Sequence, residues 1–248
     1  MPEHQTHQHQ THQHQTSQHH THEHQGPDHR APEHTRPSQP ESTDPAEFWE
    51  EFYGSGRRPW SGRPNALLVD ELAVRPLPPG SVLDLGSGSG GDAVWFAELG
   101  WAVTAVDISA AALAVGAEAA RDAGVTDRIA WNRRDLEADF PTGRWDLVVA
   151  SYLQSPVAFD RDRVLRAAAE AVRPGGTLLV LGHERFPESH QGALTELPTT
   201  TDVLGALDLN GWTVERAEAV AFTVPSTDDG HGERFDHVIR LRRVAGGA

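Results

Sequence analysis

Three carboxylates and a run of glycines carry the chemistry that can be read first. Asp84, Asp107 and Asp135 each lie in or at the end of a short apolar run, and Gly86-Ser-Gly-Ser-Gly-Gly91 begins two residues after Asp84. Glycines let the backbone turn sharply and approach a ligand, because no Cβ intervenes. Carboxylates beside such a turn accept hydrogen bonds from hydroxyls and amines and neutralise a cation. The pattern G-x-G-x-x-G, with Asp107 near the usual offset of ~20 residues, also suits a dinucleotide whose ribose the acid would bind. Asp84 separates the two readings. Inside the strand and before the first glycine, it puts an anion where a pyrophosphate would be repelled and an amino group or sulfonium attracted.

These groups need a sheet to hold them. Residues 82–85 form a short apolar strand, the pattern of one buried on both faces. Residues 93–99 are helical in pattern and stop at Gly100, and 102–106 make the next strand, with Asp107 at its carboxyl end. Ser109 caps an Ala-rich helix to about Ala123. Further strands are expected at 129–132, 145–150 and 177–181, with helices at 160–172 and 199–209. Upstream, Asp44 and Pro45 start a helix to Phe52, and a second helix runs from Pro64 to about Arg75. Alternating strands and helices imply a parallel, doubly wound sheet whose ligands bind at the carboxyl strand ends. The last two strands, 212–222 and 235–242, are joined by a polar loop without a helix and should be antiparallel.

Composition narrows the partners. The 248 residues carry a formal charge of −15, which argues against nucleic acid or an anionic membrane as partner. All 21 basic residues are Arg, and the absence of Cys removes disulfides, thiolate metal sites and a cysteine nucleophile. No apolar run approaches the ~20 residues of a membrane helix, and no apolar signal core opens the chain, so a cytoplasmic protein is expected. Residues 1–44 are low in complexity: Thr-His-Gln-His-Gln occurs at Thr6 and Thr11, with degenerate copies from Thr16 and Thr21. Leu, Ile, Val and Phe are absent before Phe48, so this tail is expected to be disordered, with a folded domain at 45–248. Its His7, His9, His12, His14, His22 and His24 could chelate divalent metals weakly. A catalytic metal needs a rigid surrounding framework, and none is expected in the folded domain.

Five pieces in order, V-L-D-L-G-S-G-S-G (82–90), V-D-I-S (106–109), R-D-L (134–136), W-D-L-V-V-A-S (145–151) and R-P-G-G-T-L-L-V (173–180), together resemble the class I S-adenosylmethionine-dependent methyltransferases. The resemblance implies a Rossmann-like seven-stranded sheet of order 3-2-1-4-5-7-6 with strand 7 antiparallel, and S-adenosyl-L-methionine as cofactor. It implies that Asp84, Leu85, Gly86, Ser87, Gly88 and Gly90 face the methionine moiety, and that Asp107 binds the ribose. Ile108 and Leu136 would flank adenine, Asp135 would take its amine, and Ser151 would lie beside the departing methyl. Weaker likenesses, W-F-A-E-L-G-W-A-V-T-A-V-D and W-S-G-R-P-N, are to small-molecule methyltransferases of the tellurite-resistance and thiopurine type. A nicotinamide-dependent oxidoreductase, and a metal-binding protein with a degenerate methyltransferase domain, remain open as alternatives.

Methyl transfer from a sulfonium is an in-line displacement, served by alignment and exclusion of water. Thiolates and reduced chalcogens need little or no base, whereas a hydroxyl or ammonium needs one within reach. Trp60, Tyr152, Gln154, His183, Glu184 and His190 are the candidates for lining a pocket for a small-molecule acceptor. His183, at a strand's carboxyl end, is the candidate base.

Overall fold

The computed structural model describes residues 42–55, 62–187, 197–225 and 231–245. Two helices, α1 (Pro45–Gly54) and α2 (Ala66–Val74), precede β1 (Ser81–Leu85), α3 (Gly91–Glu98), β2 (Ala102–Asp107) and α4 (Ala110–Asp122). Then follow β3 (Ile129–Arg133), β4 (Trp145–Ser151), α5 (Arg161–Ala171), β5 (Val172–Arg185), α6 (Thr200–Gly205), β6 (Trp212–Pro225) and β7 (His231–Arg243). The strands make one sheet of order β3-β2-β1-β4-β5-β7-β6. β1 to β5 are parallel to one another, and β7 runs antiparallel to both β5 and β6. The expected sheet is present.

Alternation along the strands explains why helices cover both faces. Leu83, Leu85, Val148, Ala150, Leu178, Val180, Ile239 and Leu241 point to one core, shared with α5 and α6. Val82, Leu147, Val149, Leu179, Leu181 and Val238 point to the other, shared with α2, α3 and Ala120 of α4. With a two-residue period, neighbours in each strand must be apolar on opposite faces, hence the unbroken hydrophobic runs. Each such Leu or Val contributes about 1.5–3 kcal/mol when fully buried.

Several boundaries differ from expectation. β5 begins at Val172, which pairs with Trp145, and the register shifts as the Pro174-Gly-Gly segment passes. It also continues beyond Leu181 to Arg185, because β7 supplies a partner for those residues. α6 stops at Gly205 instead of Leu209; Asp208 accepts from the Asn210 amide and forms a turn, while Leu207 still reaches the core. α2 starts at Ala66, since the Asn65 side chain accepts from the Leu67 and Leu68 amides and makes Asn65 the cap.

Candidate functional site

The glycine turn leaves β1 at its carboxyl end. Gly86, Gly88 and Gly90 have φ of 68°, 52° and 80°, left-handed values that favour glycine. At Gly88 there is also no room: a Cβ would lie 2.6 Å from the Tyr53 hydroxyl. The Gly88 amide donates to Oδ2 of Asp107 at 2.8 Å, and the Ser109 amide donates to Oδ1 at 2.9 Å. Thus the acid ending β2 is held against the turn that ends β1.

Asp84 is buried, and its Oδ2 has no hydrogen-bond partner. Burial, and after it the charges of Asp92 and Asp107, push its carboxyl well above the ordinary range. Asp92, in the first turn of α3, is raised by burial too, against hydrogen bonds from the Asn65 backbone and the Ser151 side chain. Burial likewise raises Asp107, against amide hydrogen bonds from Ser109, Gly88 and Ile108. Three desolvated acids around one turn repel one another. A cation placed among them would relieve that repulsion, which fits a sulfonium and an ammonium and opposes a pyrophosphate.

α1 closes one side of this corner. Its Glu50 accepts from the Ser109 hydroxyl at 2.8 Å and the Ala111 amide at 3.2 Å, so it caps α4 from outside the sheet. Burial alone would raise the Glu50 carboxyl, but the hydrogen bonds of Ser109, Ala111 and Ala110, with the charge of Arg133, together hold it below its ordinary range. Tyr53, three residues on, has its hydroxyl pushed up by burial and by the charge of Asp107.

The remaining expected residues sit along the same sheet edge. Leu85 and Leu136 are buried, Ile108 is half-buried, and Ser87 lies in the turn with its buried hydroxyl unpaired. Asp135 is exposed, with Oδ1 accepting from the Glu137 amide at 2.9 Å. Ser151 ends β4 and lies beside Asp92, whose ionised form it favours. Trp60, His190 and the tail histidines lie outside the described residues.

Tyr152 and His183 are brought together, with ring centroids 4.5 Å apart. Two other candidates have different duties. Gln154 grips the His183 backbone at both groups, donating to its carbonyl and accepting from its amide, each at 2.9 Å. Glu184 accepts from the Thr200 amide and hydroxyl at the start of α6. Asp236 completes the cluster: its Oδ2 accepts from the Tyr152 hydroxyl at 2.6 Å and its Oδ1 lies 2.8 Å from His183 Nδ1. Neither Asp92 nor Asp236 stands out in the sequence. Asp92 directly follows the glycine run and could have been suspected as an acid at a helix start. Asp236 is opposite His183 only through the β5–β7 register, which no local pattern encodes.

The sheet order and the acidic glycine turn are those of the class I S-adenosylmethionine-dependent methyltransferase fold. Residues 82–176 match the family model described as a methyltransferase domain. Ribosomal RNA small subunit methyltransferase C of Alcanivorax borkumensis is 36% identical over 132 residues, 50% of this chain and 38% of that protein. A ubiquinone/menaquinone biosynthesis C-methyltransferase of Pectobacterium carotovorum is 36% identical over 104 residues, 40% of this chain and 41% of that protein. The chain therefore spans about two fifths of the length of these curated relatives. A protein solved in connection with conversion of a disulfide bond into a thioacetal group during echinomycin biosynthesis shares the fold. Its TM-score is 0.63 at 24% identity, covering 82% of this chain and 93% of that one. The cofactor of the class is S-adenosylmethionine. The oxidoreductase and degenerate-domain alternatives find no support among these matches.

Proposed function

We propose that the protein transfers a methyl group from S-adenosylmethionine to a small-molecule acceptor. The observation that carries this reading is the group of desolvated acids Asp84, Asp92 and Asp107 around the glycine turn, with Oδ2 of Asp84 unpaired. When bound, the cofactor supplies an electrophilic methyl on a positively charged sulfur. Asp84 and the backbone of residues 86–90 hold the methionine end, Asp107 the ribose, Ile108, Asp135 and Leu136 the adenine, and Ser151 borders the methyl. The folded domain at 45–248 carries all these positions.

Two acceptor classes come from the relatives' names, ribosomal RNA and a ubiquinone or menaquinone precursor. The formal charge of −15 favours the small molecule, since RNA binding draws on clustered cations. Thiols and reduced chalcogens, which the weaker likenesses suggest, need only alignment. Calorimetry with S-adenosylhomocysteine tests the cofactor roles directly. Asp107→Ala removes charge-assisted hydrogen bonds and should weaken binding by about 1.5–3 kcal/mol, roughly ten- to a hundredfold. Unchanged affinity would overturn the ribose role.

A further inference from the structure

We propose that His183 is the general base of the reaction, oriented by Asp236, and that the acceptor is a phenolic hydroxyl rather than a preformed thiolate. The inference rests on the methyl-transfer reading and narrows its acceptor.

Geometry supplies the argument. His183 and Asp236 face each other across the β5–β7 ladder, 2.8 Å apart through Nδ1 and Oδ1. The carboxylate is fully buried while the imidazole side chain is 24% exposed. Asp236 also takes the Tyr152 hydroxyl and pairs with Arg234 at 2.9 Å, so its carboxylate is anchored on three sides. Burial alone would raise that carboxyl, but its hydrogen bonds from His183 and Tyr152 and the nearby cations keep it below its ordinary range. An ionised acceptor at Nδ1 fixes the tautomer with the proton there, and Nε2 is left as the basic nitrogen. Gln154 clamps the His183 backbone, which removes the remaining freedom of the ring's anchor point.

The dyad adjoins the cofactor acids. Tyr152 follows Ser151, which lies beside Asp92; the Asn65 amide donates to the Asp92 carboxylate at 2.6 Å, and the Asn65 side chain lies beside Tyr152. Tyr152 also has a φ of 53°, the one left-handed residue other than glycine among the described residues. Strained backbone of this kind persists where the surroundings over-determine it, often at functional sites. The rings of Tyr152 and Phe186 flank the imidazole, with centroids at 4.5 and 4.7 Å, which suits a flat aromatic acceptor. A thiolate would gain nothing from a base, whereas a phenol, with a pKa of about 10, stays protonated at neutral pH and needs one.

The step balances. The phenolic oxygen forms a bond to the methyl carbon as the carbon–sulfur bond breaks, and the released electron pair stays on sulfur. The phenolic proton passes to Nε2 of His183 and from there to solvent. The ionisable groups facing this imidazole are Asp236 and Arg234 on β7 and Tyr152 after β4, and its chain neighbour Glu184 is engaged by Thr200.

The test uses the full chain, tritiated S-adenosylmethionine, and two probes, catechol and 4-nitrothiophenol, the latter already a thiolate at neutral pH. The wild type should convert catechol to its methyl ether. His183→Gln should slow that reaction on the order of a hundredfold or more, and flatten its dependence on pH. Affinity for S-adenosylhomocysteine should stay within about twofold of wild type, a difference of roughly 0.4 kcal/mol. Asp236→Asn should perturb the pH profile as a positioning residue does, and nitrogen NMR of the S-adenosylhomocysteine complex should show His183 protonated at Nδ1. No catechol methylation by the wild type, equal slowing of both probes by His183→Gln, or a proton resident on Nε2 overturns the proposal. Failure of the wild type to bind S-adenosylhomocysteine would instead overturn the methyl-transfer reading.

Discussion

An ionised Asp84 costs the folded chain free energy, because burial and two neighbouring acids both oppose its charge. Its folded pKa lies above the unfolded one, so stability is lost as pH rises through the folded value and regained as pH falls. A bound cation reverses the preference by favouring the ionised form. Binding of S-adenosylmethionine should therefore release protons, and its affinity should fall as pH drops through the raised carboxyl range. S-adenosylhomocysteine, without the sulfonium charge, should show a shallower dependence. Calorimetry in buffers of different ionisation enthalpy measures both. Asp84→Asn should raise the melting temperature of the cofactor-free protein while weakening S-adenosylmethionine, and a variant losing stability would argue that Asp84 has a structural role only. At this scale the sequence was informative about Asp84, which stands two residues before the glycine run, and about Asp107, which ends the following strand. It was silent about Asp236, whose partners Tyr152 and His183 are brought to it by pairing across distant strands.

Elements show where local pattern suffices and where it does not. The nearly continuous apolar runs at 82–85 and 145–150 were readable as buried strands because both faces of the sheet demand apolar residues. The extension of β5 to Arg185 was not, because Gly182 to Arg185 become strand only when β7 lies alongside. Gly116 offers another such case. Within α4 an Ala would ordinarily be better by about 1 kcal/mol. Here a Cβ on Gly116 would lie 2.5 Å from Cη2 of Trp131, a ring that also meets Gly90 at the start of α3. The β3 indole thus fills the space that two glycines leave, and links the glycine turn to α4. Gly116→Ala should destabilise the domain by roughly 1–3 kcal/mol despite its better propensity, because overpacking outweighs it. A urea unfolding curve with a lowered midpoint and unchanged slope would bear this out, and a raised midpoint would show that Trp131 moves freely.

The described residues place their buried polar groups in two separate regions of the sheet, one around β1 and the carboxyl strand ends and one at β6 and β7. The carboxyl edge holds unsatisfied and strained groups: the Asp84 oxygen, the clustered acids and the left-handed Tyr152. Toward the β7–β6 side of the sheet, in the same cross-strand row as Asp84 but beyond β4 and β5, lies a buried ion network in which each charge is answered. Glu71 on α2 is fully buried between Arg216 of β6 at 2.5 Å, Arg240 of β7 at 3.3 Å and Arg75 at 3.3 Å. Arg240 also bonds Glu215 at 2.7 Å and the Arg75 carbonyl at 2.9 Å. This network ties α2 to β6 and β7, the two strands with no parallel crossover to hold them. No spacing in the sequence signals it, since Glu71 and Arg240 are 169 positions apart. Removing one member of a buried network strands the others, so Glu71→Ala should cost about 3–5 kcal/mol, read as a loss of unfolding free energy in urea. Arg240 lies four residues from Asp236 along β7, about 13 Å at the rise of an extended strand. Glu71→Ala should therefore leave S-adenosylhomocysteine affinity within about twofold in the fraction that remains folded, roughly 0.4 kcal/mol. Loss of binding in parallel with stability would mean that the two regions are mechanically coupled through β7, and the separation of a stabilising network from a reacting site would fail.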